Sequence, residues 1–177
     1  MPINRHVLLI PGSLRAGSTN ETVLRTAAAV APESVTTTYY TGLAGLPHFN
    51  PDHDTDPLPE PVVELRAAIE AADALLICTP EYAGTLPGSF KNLLDWTVGG
   101  IEISDKPVGW INAAAPGRGQ GAEAALGTVL RHTGAALVAD ACVRVPLDRK
   151  GVGPDGLAAD PLVRARIGEV LELLAAG

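Results

Sequence analysis

Little in this chain is aromatic, basic or cysteine-rich. Phe, Trp and Tyr together make up 4% of the 177 residues, so each ring, such as that of Tyr82, stands out. Lys and Arg number 13 against 20 Asp and Glu, a net charge of −7. That balance argues against a nucleic-acid-binding surface, which needs a basic patch to meet phosphates. The one local basic run, Arg149-Lys150, is too short to provide it. Two cysteines, Cys78 and Cys142, lie far apart, each within an apolar run. They read as buried free thiols of a reducing compartment rather than as a disulfide framework. No apolar run reaches the roughly 20 residues of a membrane span. No basic start followed by an apolar stretch marks a signal peptide, so a cytoplasmic location is expected. Repeats, low-complexity tracts and linkers are also missing, which predicts one domain over residues 1–177. Hydrophobic residues make up 46% and charged residues 19%, an ordinary composition for a chain that buries a full core.

The apolar pattern alternates between two periods. "RHVLLIP" (5–11), "SVTTTYY" (34–40), "ALLICT" (74–79), "PVGWINAAA" (107–115) and "ALVADACVRV" (136–145) read as strands, the last interrupted near Asp140. Helical spacing is found over 20–31, 61–72, 86–98, 121–134 and 161–175, the second opening on Pro61 in its first turn. Strands alternating with helices predict a parallel sheet covered on both faces. The most economical layout is the α/β doubly wound, three-layer sandwich with five-stranded order 2-1-3-4-5. Ligands of such folds bind beyond the carboxyl ends of the strands, at the switch point between strands one and three.

Three ornate loops should meet there. The first, "GSLRAGSTN" (12–20), gathers two glycines, four side-chain hydroxyl or amide groups and Arg15 before a helix. A helix start presents free N–H groups and the positive end of its dipole, so this loop should hold an anion. A plain helix cap would need only one of Ser18, Thr19 and Asn20. The spacing Gly12-x-x-x-x-Gly17 imitates a nucleotide-triphosphate loop, but Ser18 stands where the lysine would be. A phosphate monoester needs no such lysine. The second loop is "PEYAGTLPG" (80–88) and the third "APGRGQG" (115–121). "GRGQGA" with Asp140 downstream imitates a dinucleotide fingerprint. It sits on the penultimate strand, however, which favours close backbone approach of Gly117 and Gly119 to a flat ligand.

These segments resemble the NAD(P)H-dependent FMN reductase family of the flavodoxin-like superfamily, which includes bacterial quinone, azo-dye and chromate reductases. "GSLRAGSTN" is similar to the family's phosphate loop, "TPEYAGTLPGSFKNLLDW" (79–96) to its second flavin loop and helix, and "GLPHFNPD" (45–52) to a further loop. "KPVGWINAAAPGRGQGAEAALGTVLR" (106–131) is similar to its third flavin loop and following helix. The resemblance implies that Ser13, Arg15, Ser18, Thr19 and Asn20 hold the FMN phosphate. Pro80, Glu81, Tyr82, Ala83 and Gly84 would line the ring and ribityl chain, with Ala115, Gly117 and Gly119 closing the other side. It implies hydride transfer from NAD(P)H to flavin N5, then to a quinone, flavin, azo compound or similar acceptor that replaces the spent nicotinamide. No side chain is given an acid or base role, because the cofactor carries the chemistry. Two departures stand out: Ala83 replaces the family's usual Asn, and the third loop is apolar from Ala114 to Pro116, where Ser or Thr is common. Weaker FMN retention or a shifted redox potential is the expectation.

The segment "SFKNLLDWTV" (89–98) resembles the family's dimerisation helix, and its Phe90, Leu93, Leu94 and Trp96 point to a homodimer or homotetramer. His48, Asp52, His53, Asp54 and Asp56 have metal-ligand chemistry but irregular spacing in a proline-rich loop, which reads as solvated rather than as a metal site. Ser13 and Ser18 have no His–Asp partners in view, which argues against a serine hydrolase. Two other functions fit the same residues: a flavodoxin-type electron carrier, and a non-catalytic sensor of a phosphate ligand.

Overall fold

The computed structural model describes residues 4–176. The strands are β1 (Arg5–Pro11), β2 (Val35–Tyr39), β3 (Ala74–Cys78), β4 (Pro107–Asn112) and β5 (Ala136–Arg144). The helices are α1 (Thr19–Ala29), α2 (Glu60–Ala71), α3 (Gly88–Asp95), α4 (Gln120–His132) and α5 (Pro161–Ala176). All five strands pair in parallel, in the order β2-β1-β3-β4-β5, as the alternating sequence pattern predicts.

The two faces of the sheet follow from the two-residue side-chain period of a strand. On one face Leu8 and Ile10 of β1 and Leu75 and Ile77 of β3 pack with Leu65, Phe90 and Leu126 from α2, α3 and α4. On the other, Val7, Leu9, Leu76 and Cys78 pack with Val23 and Leu24 of α1 and with Ile167, Val170 and Leu171 of α5. The central strands are therefore apolar at consecutive positions, as a doubly covered parallel sheet requires. The interruption expected near Asp140 is a bulge. Val108 pairs with Leu137 but Trp110 with Cys142, and a Cβ on Gly109 would lie 2.7 Å from the Ala141 carbonyl oxygen.

The four residues that pointed to a dimer helix do not serve one. Phe90, Leu93, Leu94 and Trp96 are 0–1% exposed, all within the chain's own core. α3 is an amphipathic helix laid on its sheet, and it ends earlier than the apolar run does. Its Asn92 and Trp96 hold the 45–50 loop: Asn92 Nδ2 and Trp96 Nε1 donate to the Pro47 carbonyl at 2.9 and 2.8 Å. Phe49 N–H donates to Asn92 Oδ1 at 2.7 Å, and the Phe49 ring meets Trp96 edge-on at 5.0 Å. Nor do the acidic and histidine residues of 48–56 converge. Asp54 turns inward to Arg66 at 2.7 Å, and Arg66 also donates to the Trp96 carbonyl. His48, Asp52, His53 and Asp56 stay exposed. Cys78 is buried, whereas Cys142 is only partly so; burial raises both thiols, that of Cys142 to about 11.

Candidate functional site

The carboxyl ends of β1, β3 and β4 open onto a cleft made of two adjoining hollows of about 220 Å³ each. They share Thr19, Asn20 and Pro80. One is the first loop's own cavity, lined further by Ser13, Arg15, Ser18 and Tyr82. The other runs between the second and third loops, past Thr79, Glu81, Ala113, Ala114, Arg118 and Gly119.

The first loop is built by close approach and by a cap. Gly12 donates its N–H to the Cys78 carbonyl at 2.9 Å, and a Cβ there would overlap the Thr79 side chain. Only glycine lets β1 leave the sheet so near β3. Ser18 is the N-cap of α1: its Oγ accepts the Glu21 N–H at 3.1 Å, and the Glu21 carboxylate accepts the Gly17 N–H at 2.7 Å. This Ser-x-x-Glu exchange is a capping box displaced by one residue, a signal present in the sequence as Ser18 and Glu21. Ser18 therefore has a structural duty beyond any ligand. Glu21 and Thr22 direct their N–H groups to Ser18, so the amides of Thr19 and Asn20 are left without partners among the described residues. Both residues line the cleft, at the positive end of α1. Asn20 is 8% exposed, and its Oδ1 accepts the Cys78 thiol at 3.3 Å. The Ser13 hydroxyl accepts the Arg15 N–H at 3.1 Å. An anion fits this cradle: two free amides, a hydroxyl and Arg15, which has no carboxylate partner among the described residues.

The second loop is a tight turn. Tyr82 and Thr85 exchange two backbone hydrogen bonds at 3.0 Å, and the two residues between them, Ala83 and Gly84, have φ of +50° and +76°. Positive φ at both central positions is the signature of a type I′ turn. The family's Asn at position 83 thus has a backbone reason, since Asn enters the left-handed region more readily than Ala. Neither Ala83 nor Gly84 lines the cleft hollows; Tyr82 does, half exposed.

Glu81 locks the second loop to the third. Its Oε2 accepts the Ala122 N–H at 3.0 Å, in the first turn of α4, where a carboxylate also meets the helix dipole. A Cβ on Gly121 would overlap the Gly84 carbonyl, so the loops touch through backbone. Asn112, at the end of β4, organises the third loop. It donates to the Gly119 carbonyl and to Glu123, and accepts the Ala114 N–H at 3.0 Å. Gly119 has φ +78°, and a Cβ there would lie 2.7 Å from Asn112 Oδ1. The glycine at 119 is thus demanded by Asn112 whether or not a ligand approaches it.

Of the third-loop positions expected at the cleft, Gly119 alone lines its hollows. Ala115 borders a separate cavity with Pro146 and Leu147, and Gly117 is exposed on a turn with φ +81°. Ala113, Ala114 and Arg118 take their place. Sequence reasoning also missed Thr79 and Arg149. Thr79 follows directly on the predicted third strand, but Arg149 reaches the cleft from a segment with no local signal.

A family model described as NADPH-dependent FMN reductase matches residues 5–149. Among curated proteins, an NAD(P)H-dependent FMN reductase of Pseudomonas aeruginosa is 38% identical over 111 residues, 62% of this chain and 60% of the relative. A quinone reductase of Escherichia coli is 37% identical over 103 residues, 58% of this chain and 53% of the relative. The aligned stretches span about half to three fifths of those relatives. Among solved structures, the flavoenzyme NAD(P)H:(acceptor) oxidoreductase FerB from Paracoccus denitrificans superposes with a TM-score of 0.82 at 27% identity, covering 96% of this chain and 97% of that one. An oxidoreductase from Corynebacterium diphtheriae shares the fold, with a TM-score of 0.71 at 18% identity over 99% and 97% of the two chains.

Proposed function

Because the chain belongs to the NADPH-dependent FMN reductase family, we propose that it is an FMN-containing oxidoreductase that passes electrons from NAD(P)H to a quinone, a flavin or a similar small acceptor. The observation that carries this reading is the cradle at the start of α1, opening into a hollow between the second and third loops. It offers a monoester phosphate two free amides, Ser13 and Arg15, and gives a flat ring the space beyond Pro80. When bound, FMN supplies the hydride chemistry, accepting from the nicotinamide and giving to the acceptor.

The chain's own work is binding and orientation. Ser13, Arg15, Thr19 and Asn20 take the phosphate, while Ser18 holds α1 in register for them. Pro80, Glu81 and Gly119 fix the walls of the ring site. Tyr82 lies half exposed at its mouth, where a ring can rest against it. Ala83 and Gly84 act through the turn that aims Tyr82, and Ala115 and Gly117 through the bend of the third loop. No acid or base is required of the protein.

Among the described residues no helix is long and apolar enough to cross a membrane. We place the enzyme in the cytoplasm, where reduced nicotinamides are formed and where free thiols persist. A homodimer is also part of the proposal, through Val98 and Ile101 on the turns after α3. They are 64% and 83% exposed, and light scattering reads whether they are covered.

An absorbance spectrum with added FMN, recorded before and after NADPH and then NADH under argon, tests the function. Bound flavin that bleaches is the expected result. Bound flavin that stays oxidised with both nicotinamides would make the protein an electron carrier. No flavin binding would leave a sensor of some other phosphate.

A further inference from the structure

We propose that Arg149, on the 3-10 turn Arg149–Gly151 beyond β5, is a second arginine of the phosphate site and closes it over a dianionic monoester. This rests on the reading of the cleft as an FMN site. Arg149 lines the same hollow as Ser13, Arg15, Thr19 and Asn20, although it enters from the opposite end of the sequence. Charge pairing together with position narrows the choice. Arg5, Arg25, Arg66, Arg144, Arg164 and Arg166 each meet a carboxylate. Arg15, Arg118, Arg131 and Arg149 do not, among the described residues, although the chain carries seven more acidic than basic groups; of these four, Arg15 and Arg149 line the phosphate hollow. Two unneutralised guanidinium groups on one small cavity repel each other until an anion lies between them.

The segment carrying Arg149 is fastened in place. Asp148 Oδ1 accepts the N–H groups of Lys150 and Gly151 at 2.9 and 3.0 Å, fixing the turn. Leu147 N–H donates to the Ala113 carbonyl at 3.1 Å, tying the approach to the end of β4. Ala159 N–H returns to the Gly151 carbonyl at 2.8 Å. Ala158 N–H donates to the buried Thr26 Oγ1 at 3.0 Å, and Thr26 Oγ1 donates to the Thr22 carbonyl on α1. The helix that presents the free amides and the turn that presents Arg149 are therefore one built unit. On the outer side, Arg149 borders a larger hollow of about 570 Å³ with Gly17 and Arg25, but Arg25 is already paired to Glu21.

The charge count selects the ligand. A monoester phosphate carries close to two negative charges near neutral pH and can take both guanidinium groups. Each phosphate of a nicotinamide dinucleotide's pyrophosphate bridge carries one; the 2′-phosphate of NADPH is also a monoester, and the KM for NADPH tells it apart from the FMN phosphate.

Flavin-free protein is titrated with FMN and, separately, with riboflavin, following flavin fluorescence, for wild type, Arg149→Gln and Arg149→Lys. Arg149→Gln is expected to weaken FMN about ten- to thirty-fold, the scale of one lost charge-assisted hydrogen-bonding group, and to leave riboflavin unchanged. Arg149→Lys should restore part of the loss, as a point charge replaces a fork. Equal weakening of FMN and riboflavin, or an effect confined to the KM for NADPH, would overturn the assignment. If wild type prefers FMN to riboflavin and Arg149→Gln prefers it equally, the Arg149 role fails while the site stands. If wild type shows no preference for FMN, the phosphate reading of the cleft fails with it.

Discussion

At the scale of single residues, position 83 carries strain that its neighbours impose. The Tyr82–Thr85 turn needs two left-handed residues, and only one of them is glycine. An alanine held there costs about 1 kcal/mol more than a residue that tolerates the region. Ala83→Asn should therefore raise stability by about 0.5–1 kcal/mol, read as a higher urea midpoint at unchanged slope. It should leave FMN affinity within about two-fold, because the side chain at 83 does not line the cleft. A large gain in affinity without a gain in stability would return the residue to the flavin contact that the family resemblance first gave it. Tyr40 is a different kind of local cost. Its hydroxyl is buried with no hydrogen-bond partner, against the backbone at Gly42.

At the scale of elements, the third loop depends on one side chain beneath it. Asn112 uses both its amide and its carbonyl oxygen to shape residues 114–123, and Gly119 is left-handed above it. Gly119→Ala places a Cβ against Asn112 in a conformation that L-residues resist. It should cost about 1–2 kcal/mol or more and weaken FMN and riboflavin alike, by thermal melting and flavin titration. The ten elements, their order and the sheet topology were legible in the sequence, because buried parallel strands and amphipathic helices write different periods. The first loop was legible too, since Gly, Ser and Asn at a strand-to-helix turn have few other uses. The third loop's internal packing was not: the demand that Asn112 makes on Gly119 is tertiary and leaves no local pattern. The helix taken for an interface was misread because apolar residues on a short helix look the same whether they face a partner or their own sheet. Arg149 was passed over because its meaning is tertiary: a lone basic pair gains a role only when β5 returns it to the first loop.

At the scale of the whole molecule, two adjacent phenols add to an alkaline loss of stability that the thiols of Cys78 and Cys142 begin above pH ~8.5. Burial raises both Tyr39 and Tyr40 to about 12, with Glu21 adding to the first and Glu64 to the second. In the unfolded chain each ionises near its ordinary value of about 10. The folded state therefore holds these protons longer, so the phenols' share of stability is full below pH ~10 and is lost as pH rises toward about 12. Urea unfolding at pH 9 and pH 11 should show that loss. Tyr40→Phe should reduce it, and should be neutral or stabilising by about 1 kcal/mol at pH 7 because a buried unpartnered hydroxyl is removed. A variant that loses stability with pH as steeply as wild type would place the effect elsewhere. The bond between Ala158 and Thr26 has a further meaning in time. A chain grows from its N-terminus, and α1 with its loop emerges early, while the turn bearing Arg149 and the helix α5 that covers the same face emerge later. Until they dock, Val23, Leu24 and the apolar side of β1 lack the cover that α5 provides. A growing polypeptide therefore carries the first loop long before the cleft around it is complete, and the site takes its shape only when the turn after β5 has docked on α1.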